Sequence, residues 1–227
     1  MRKALSPGWA AAALCGTCLG AHFALAGIPP WPPRESWQWL PALAIAGTFL
    51  GLLDRALAAG IRWVLRTVLA CAAGWVLSPE GSLRAAWAAG TGAAILASCL
   101  NLDPLASGFR GRALPLGLAG WAALGALSLG LSGCALFGLL CGGMAAGLAL
   151  CAAFALPLEA VVLPLSVVSA GLWLNGWKFS ETPGSCALLL WASPWTLQAI
   201  RIGPAGTLAV ALPAGAAALL AWRASPT

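Results

Sequence analysis

The sequence predicts an all-helical bundle of eight or nine transmembrane helices, a single integral-membrane domain over residues 1–227 with no soluble domain. Two features of composition and one of pattern carry that expectation. Hydrophobic residues make up 61% of the 227 and charged residues only 8%, with a mean hydropathy of +0.90. A soluble domain carries about 25% charge, so this chain lacks the polar surface that water requires. Lipid must cover it, and inside lipid only helices and closed barrels satisfy every backbone N–H and C=O. A barrel would alternate polar and apolar residues along strands of roughly 10 residues, whereas the apolar runs here are long, unbroken and rich in Ala, Leu and Gly.

The expected elements are nine apolar runs bounded by Pro, Gly or charge: 8–28, 38–54, 61–77, 84–100, 113–131, 133–156, 158–175, 185–200 and 203–222. A spanning helix needs about 17–25 residues, so 61–77, 84–100 and 185–200 lie at or below the short limit. Re-entrant or merged segments are the alternative there. The first run also fits a cleaved signal peptide over residues 1–26, with Arg2 and Lys3 ahead of the apolar stretch and Ala24-Leu25-Ala26 at its end. The apolar run that starts near Trp9 exceeds the usual signal core of about 7–15 residues, which favours an uncleaved first helix.

Twelve basic residues against six acidic ones give a net charge of +6. The basic residues stand singly at segment ends, without the patch or basic helix that nucleic acid would need. They mark orientation instead. With the N-terminus inside, Arg2, Lys3, Arg55, Arg62, Arg66, Arg110, Arg112 and Arg201 fall on the cytoplasmic side, against Arg34, Arg84, Lys178 and Arg223 outside. That is the positive-inside pattern, and the Ala, Gly, Trp and Arg bias points to a bacterial inner membrane. Most of the 13 tryptophans, among them Trp9, Trp31, Trp75, Trp177 and Trp222, sit near segment ends as an interfacial belt. Trp121 and Trp191 fall nearer segment centres, where packing or a cavity wall would use them.

Glycines recur four residues apart at Gly16/Gly20, Gly47/Gly51, Gly138/Gly142 and Gly143/Gly147, a spacing that lets helix backbones approach closely. Two of these pairs lie in 133–156, which is therefore expected at the centre of the bundle. Leu-Pro pairs recur at 40–41, 114–115, 156–157, 163–164 and 212–213, several of them where a helix would begin, while Pro164, Pro194 and Pro213 inside apolar runs should kink or break them.

Chemistry-bearing residues are sparse. Cys15, Cys18 and His22 share one helical face at i, i+3 and i+7, a soft donor set that suits copper or zinc. His22 is the only histidine and a fourth ligand is missing, so no metal or other cofactor is expected. Eight cysteines within apolar runs behave as small hydrophobes. Gly130-Leu131-Ser132-Gly133 spells a rhomboid-type G-x-S-G, but no histidine base follows it. Gly51-Leu52-Leu53-Asp54-Arg55 lacks the spacing of the facilitator loop motif. Neither leaves a usable resemblance, and an enzyme is not expected.

The polar candidates are Asp54, Arg62, Arg66, Glu159 and Gln198. Arg62 and Arg66 lie one turn apart, and each needs an acid or a lipid phosphate. Snorkelling to headgroups is the simpler expectation, and pairing with Asp54 or Glu159 would instead build a cytoplasmic gate. Glu159 between two apolar runs is a candidate for carrying a proton. Residues 101–112 are expected to form the largest cytoplasmic loop. Two functional classes result: a small transporter that uses kinked helices and these polar residues, or a non-catalytic subunit packing through its glycine strips. Expected partners are membrane lipids and either a second copy or a membrane-complex partner, with no nucleic acid.

Overall fold

The computed structural model describes residues 7–54, 56–108, 111–179, 182–196 and 211–224. The fold is all-helical, with no strand among them. The helices are α1 (Pro7–Ala26), α2 (Leu40–Leu53), α3 (Ala59–Leu77), α4 (Arg84–Gly108), α5 (Ala113–Leu131), α6 (Ala135–Ala153), α7 (Val162–Phe179), α8 (Gly184–Ala192) and α9 (Ala211–Ala224). A 3-10 turn, Ser36–Trp39, leads into α2, and another, Ser193–Trp195, follows α8.

Among the described residues, six helical stretches are long and apolar enough to cross a membrane: Gly8–Ala26, Ser36–Leu53, Ala59–Leu77, Arg84–Gly108, Ala113–Leu131 and Ala135–Ala153. This is the make-up of a multi-pass membrane protein. The expected eight or nine is too many for physical reasons. Helix α8 has nine residues and ends at Ala192, where Ser193-Pro194 turns the chain. The described part of the last run is a 14-residue helix. Helix α7 has the length, but it carries Ser166, Ser169, Asn175 and Lys178.

Helix α7, not α6, is the centre of the bundle. Fourteen of its eighteen residues are buried, and it packs against α2, α3, α4, α6 and α8. A helix surrounded by protein need not be as apolar as one surrounded by lipid, because its hydroxyls and amides find partners on its neighbours. Asn175 is one case. It is fully buried, its amide donates to the Gly171 carbonyl at 2.8 Å, and its carbonyl accepts from the Ser36 hydroxyl at 2.6 Å. Asn175→Ala strands that hydroxyl and is expected to lower stability by about 1–3 kcal/mol. A thermal melt in detergent checks this, and an unchanged midpoint would count against the bond.

Around α7, α1 packs on α6, α6 on α5, α3 on α4, and α9 on α5 and α8. Leu40-Pro41, Leu114-Pro115 and Leu163-Pro164 fall in the first turns of α2, α5 and α7, where the missing N–H costs nothing. Pro164 therefore starts a helix and does not kink one. Two sharp turns aim the chain between spans. Gly133, at φ +81°, closes α5, with Cys134 N–H on the Leu129 carbonyl and Gly133 N–H on the Gly130 carbonyl. Ala155, at φ +50°, closes α6 through the same pair of bonds, Leu156 to Cys151 and Ala155 to Ala152. These are Schellman caps, and the second delivers the segment that carries Glu159.

Candidate functional site

Four of the five polar residues singled out by sequence meet at one end of the bundle. Asp54 caps the C-terminus of α2, its N–H on the Leu50 carbonyl. Arg62 and Arg66 stand in the first two turns of α3, and Glu159 lies in the turn preceding α7. Together with Asp103, Pro104 and Ser107 of α4 they line a cleft of 330 Å³. Gln198 lies outside the described residues.

Arg66 organises the cluster. Its side chain is 2% exposed, and its guanidinium is divided between two carboxylates. Toward Asp54, Nε donates at 3.1 and 3.3 Å and one terminal nitrogen closes a second, short bond. Toward Asp103 the two terminal nitrogens donate to the two carboxylate oxygens, the longer of the bonds being 3.1 Å. The planar fork of arginine suits this double bidentate role, which a single ammonium cannot fill. The guanidinium also lies 5.1 Å from the centre of the Trp63 ring. Arg62 approaches Asp54 more loosely, with Nε 3.8 Å from Oδ1 and a third of its side chain open to the cleft.

The physical reason for the pairing is depth. Arg66 lies about 10 Å along α3 at about 1.5 Å per residue. A lone charge within a spanning helix costs about 2.5–3.5 kcal/mol even on the mildest scale. Two carboxylates on α2 and α4 remove that cost and tie three helices together. Snorkelling to headgroups, the simpler expectation for both arginines, therefore does not describe Arg66.

Asp103 and Ser107 are the members that sequence reasoning misses. Residues 101–112 read as a loop because they are one of the longest polar stretches of the chain. Helix α4 instead continues through Pro104 to Gly108. The signal was an unbroken buried stripe at Ile95, Cys99, Leu102, Leu105 and Ala106, which keeps helical period on both sides of the proline. Ser107 donates its hydroxyl back to the Asp103 carbonyl at 3.0 Å.

The cysteine–histidine face behaves differently. His22 and Cys18 are buried, Cys15 is half-buried, and both ring nitrogens of His22 lack a hydrogen-bond partner. His22 and Cys18 border a void of only 10 Å³, walled by Leu and Val side chains together with Pro41 and Ala44. Among the described residues no three His, Cys, Asp or Glu side chains converge to hold a metal ion. Ser132 donates to the Ser128 carbonyl at 2.8 Å, and Trp121 packs at the core with Nε1 on the Leu190 carbonyl at 2.7 Å. No protein-family model matches this chain, and no match was found among curated proteins or solved structures.

Proposed function

We propose that the protein is a small, non-enzymatic transporter of polar or ionic solutes in a bacterial inner membrane, its N-terminus and charged cleft on the cytoplasmic side. The observation that carries this reading is the 330 Å³ cleft among spanning helices, lined by two guanidiniums and three carboxyl groups. A pocket of about 300–1,000 Å³ with a few convergent polar groups is the usual form of a small-molecule site. In this reading the Arg66 pairs hold α2, α3 and α4 in a closed arrangement. Arg62, held at 3.8 Å, is the cation that a solute displaces most easily, and Glu159 flanks the path. Over the six spans, seven basic residues (Arg2, Lys3, Arg55, Arg62, Arg66, Arg110 and Arg112) fall on the N-terminal side against Arg34 and Arg84 on the other, which supports the orientation.

The test is charge movement from proteoliposomes on a solid-supported membrane, challenged with a panel of small ions and polar solutes. Arg62→Gln and Glu159→Gln are each expected to lower the transient current about 10- to 100-fold, the weight of a charge-assisted hydrogen bond of about 1.5–3 kcal/mol. Currents equal to wild type in both variants would end the transport reading for this cleft.

A second reading, a non-catalytic subunit of a membrane complex, draws on α1. Gly16 and Gly20 are exposed and meet nothing within 4 Å, so this small-residue strip has no packing role among the described residues. Native mass spectrometry of gently extracted protein separates the two readings: fixed stoichiometry with unrelated subunits favours the second.

A further inference from the structure

A cavity larger than the charged cleft lies away from it, on the side of the bundle between α4, α7 and α8. It measures 610 Å³. Each helix gives it one face at i, i+3, i+4 and i+7 spacing. Helix α4 supplies a floor of Gly90, Ala93, Ala94 and Ala97, almost without side chains. Helix α7 supplies Ala170, Trp173, Leu174 and Trp177, and α8 supplies Gly184, Ala187, Leu188 and Trp191. Thr91 adds the one hydroxyl-bearing side chain. A cavity this apolar does not hold water well, since water needs two to four polar partners.

The cavity opens sideways. Gly90, Ala93 and Trp177 are exposed, and Leu188 is 66% exposed, on the flank of α4, which is long and apolar enough to span the bilayer. What meets this opening is therefore hydrocarbon. Its length also fits. From Trp87 to Ala97 the floor runs ten residues, about 15 Å, which is half the roughly 30 Å hydrocarbon core. The groove follows a helix that crosses the membrane and spans the depth of one leaflet, as a lipid chain does.

The mouth is built for a charged head. Trp87 and Trp177 close that end with ring centres 4.8 Å apart, where interfacial indoles belong. One turn before Trp87 stands Arg84, whose guanidinium lies 4.5 Å from the Trp75 ring centre and donates to the Trp75 carbonyl at 3.4 Å, while its Nε is buried without an acceptor. Next to Trp177 is the exposed Lys178, over the ring of Phe179. Within the wall, Nε1 of Trp173 is likewise buried and unpartnered.

We propose that this groove is a binding site for an anionic membrane lipid, one acyl chain lying along α4 between Trp173 and Leu188, with the headgroup at Arg84 and Lys178. The site is independent of the charged cleft and of what that cleft carries.

The experiment uses the full chain in nanodiscs with phosphatidylglycerol or phosphatidylcholine bearing a diazirine on the acyl chain, followed by peptide mapping. Phosphatidylglycerol is expected to label the 87–98 and 184–192 peptides about tenfold more than other lipid-facing stretches such as 116–127. Unlabelled phosphatidylglycerol should compete the labelling away, and phosphatidylcholine should label the groove several-fold less. Ala94→Phe fills the floor and should abolish the groove adducts while leaving those elsewhere, which also reports that the variant is folded. Even labelling of all lipid-facing helices overturns the proposal. So does equal labelling by the two lipids, or a cross-linked second copy covering the groove. The wild-type comparison decides even where Ala94→Phe fails to fold.

Discussion

Arg66→Met is expected to be the most damaging substitution of a polar residue in this protein, lowering stability by about 3–5 kcal/mol. The loss comes less from the bonds themselves than from what remains. Asp54 is 6% exposed and accepts its strongest bonds from Arg66, so the variant leaves a buried carboxylate with only the loose contact to Arg62 at 3.8 Å. Asp54→Asn should cost nearly as much, by stranding the guanidinium. Asp103→Asn should cost less, because Asp103 is 31% exposed on its side chain and water can take over part of its role. Arg66→Lys should recover little, since a compact ammonium on a shorter stem lacks the planar fork that gives each of the two carboxylates a two-point contact. Arg66→Met combined with Asp54→Leu should recover part of the loss, because a buried ion pair exchanged whole for apolar groups is often neutral. Unfolding of detergent-solubilised protein by titrated SDS measures the series. If Arg66→Met costs no more than Arg112→Gln at the exposed start of α5, Arg66 does not clamp these helices.

The same cluster shows how far a sequence of this kind can be read. Asp54, Arg62, Arg66 and Glu159 stood out because any charge does in a chain with 8% of them. Their convergence followed from the alternation of helices, which returns the ends of α2 and α6 and the starts of α3 and α7 to one side. What was hidden is geometric. The polar stretch 101–112 reads as a loop, yet α4 continues through Pro104 and carries Asp103 to Arg66. Neither of these two residues has a sequence neighbour that announces the other, since they are 37 positions apart.

The glycine pairs misplaced the centre for a related reason. Gly143 and Gly147 do mark a close helix contact, but with α1, and a close contact alone does not make a helix central. The centre is α7, which faces almost no lipid and so need not have the highest hydropathy, which belongs to α6. The lateral groove was equally invisible. Gly90, Ala94 and Ala97 read as ordinary small residues of a membrane helix. Only the placement of Trp173, Trp177 and Trp191 on two other helices turns them into the floor of a cavity.

Gly147→Ala is expected to destabilise the protein by about 1–3 kcal/mol, whereas Gly142→Ala, five residues earlier on the same helix, should stabilise it by up to about 1 kcal/mol. Both glycines belong to four-residue pairs that look alike in sequence. In the structure a Cβ on Gly147 would lie 2.6 Å from the Thr17 hydroxyl and 2.8 Å from Cα of Leu14 on α1. Main chain cannot step aside as a side chain can, so α1 and α6 must part. Gly143 repeats the contact one turn earlier, 2.8 Å from the Thr17 carbonyl. Gly142 meets nothing within 4 Å, so a methyl there adds helix propensity without a clash. The sign of the two effects, read from thermal melts in one detergent, tests whether α1 is seated on α6 as part of the folded protein. Two neutral results would mean that α1 is only loosely held. A loss at Gly147 with a gain at Gly142 would establish that the first helix remains and packs, which a signal peptide removed at residue 26 could not do.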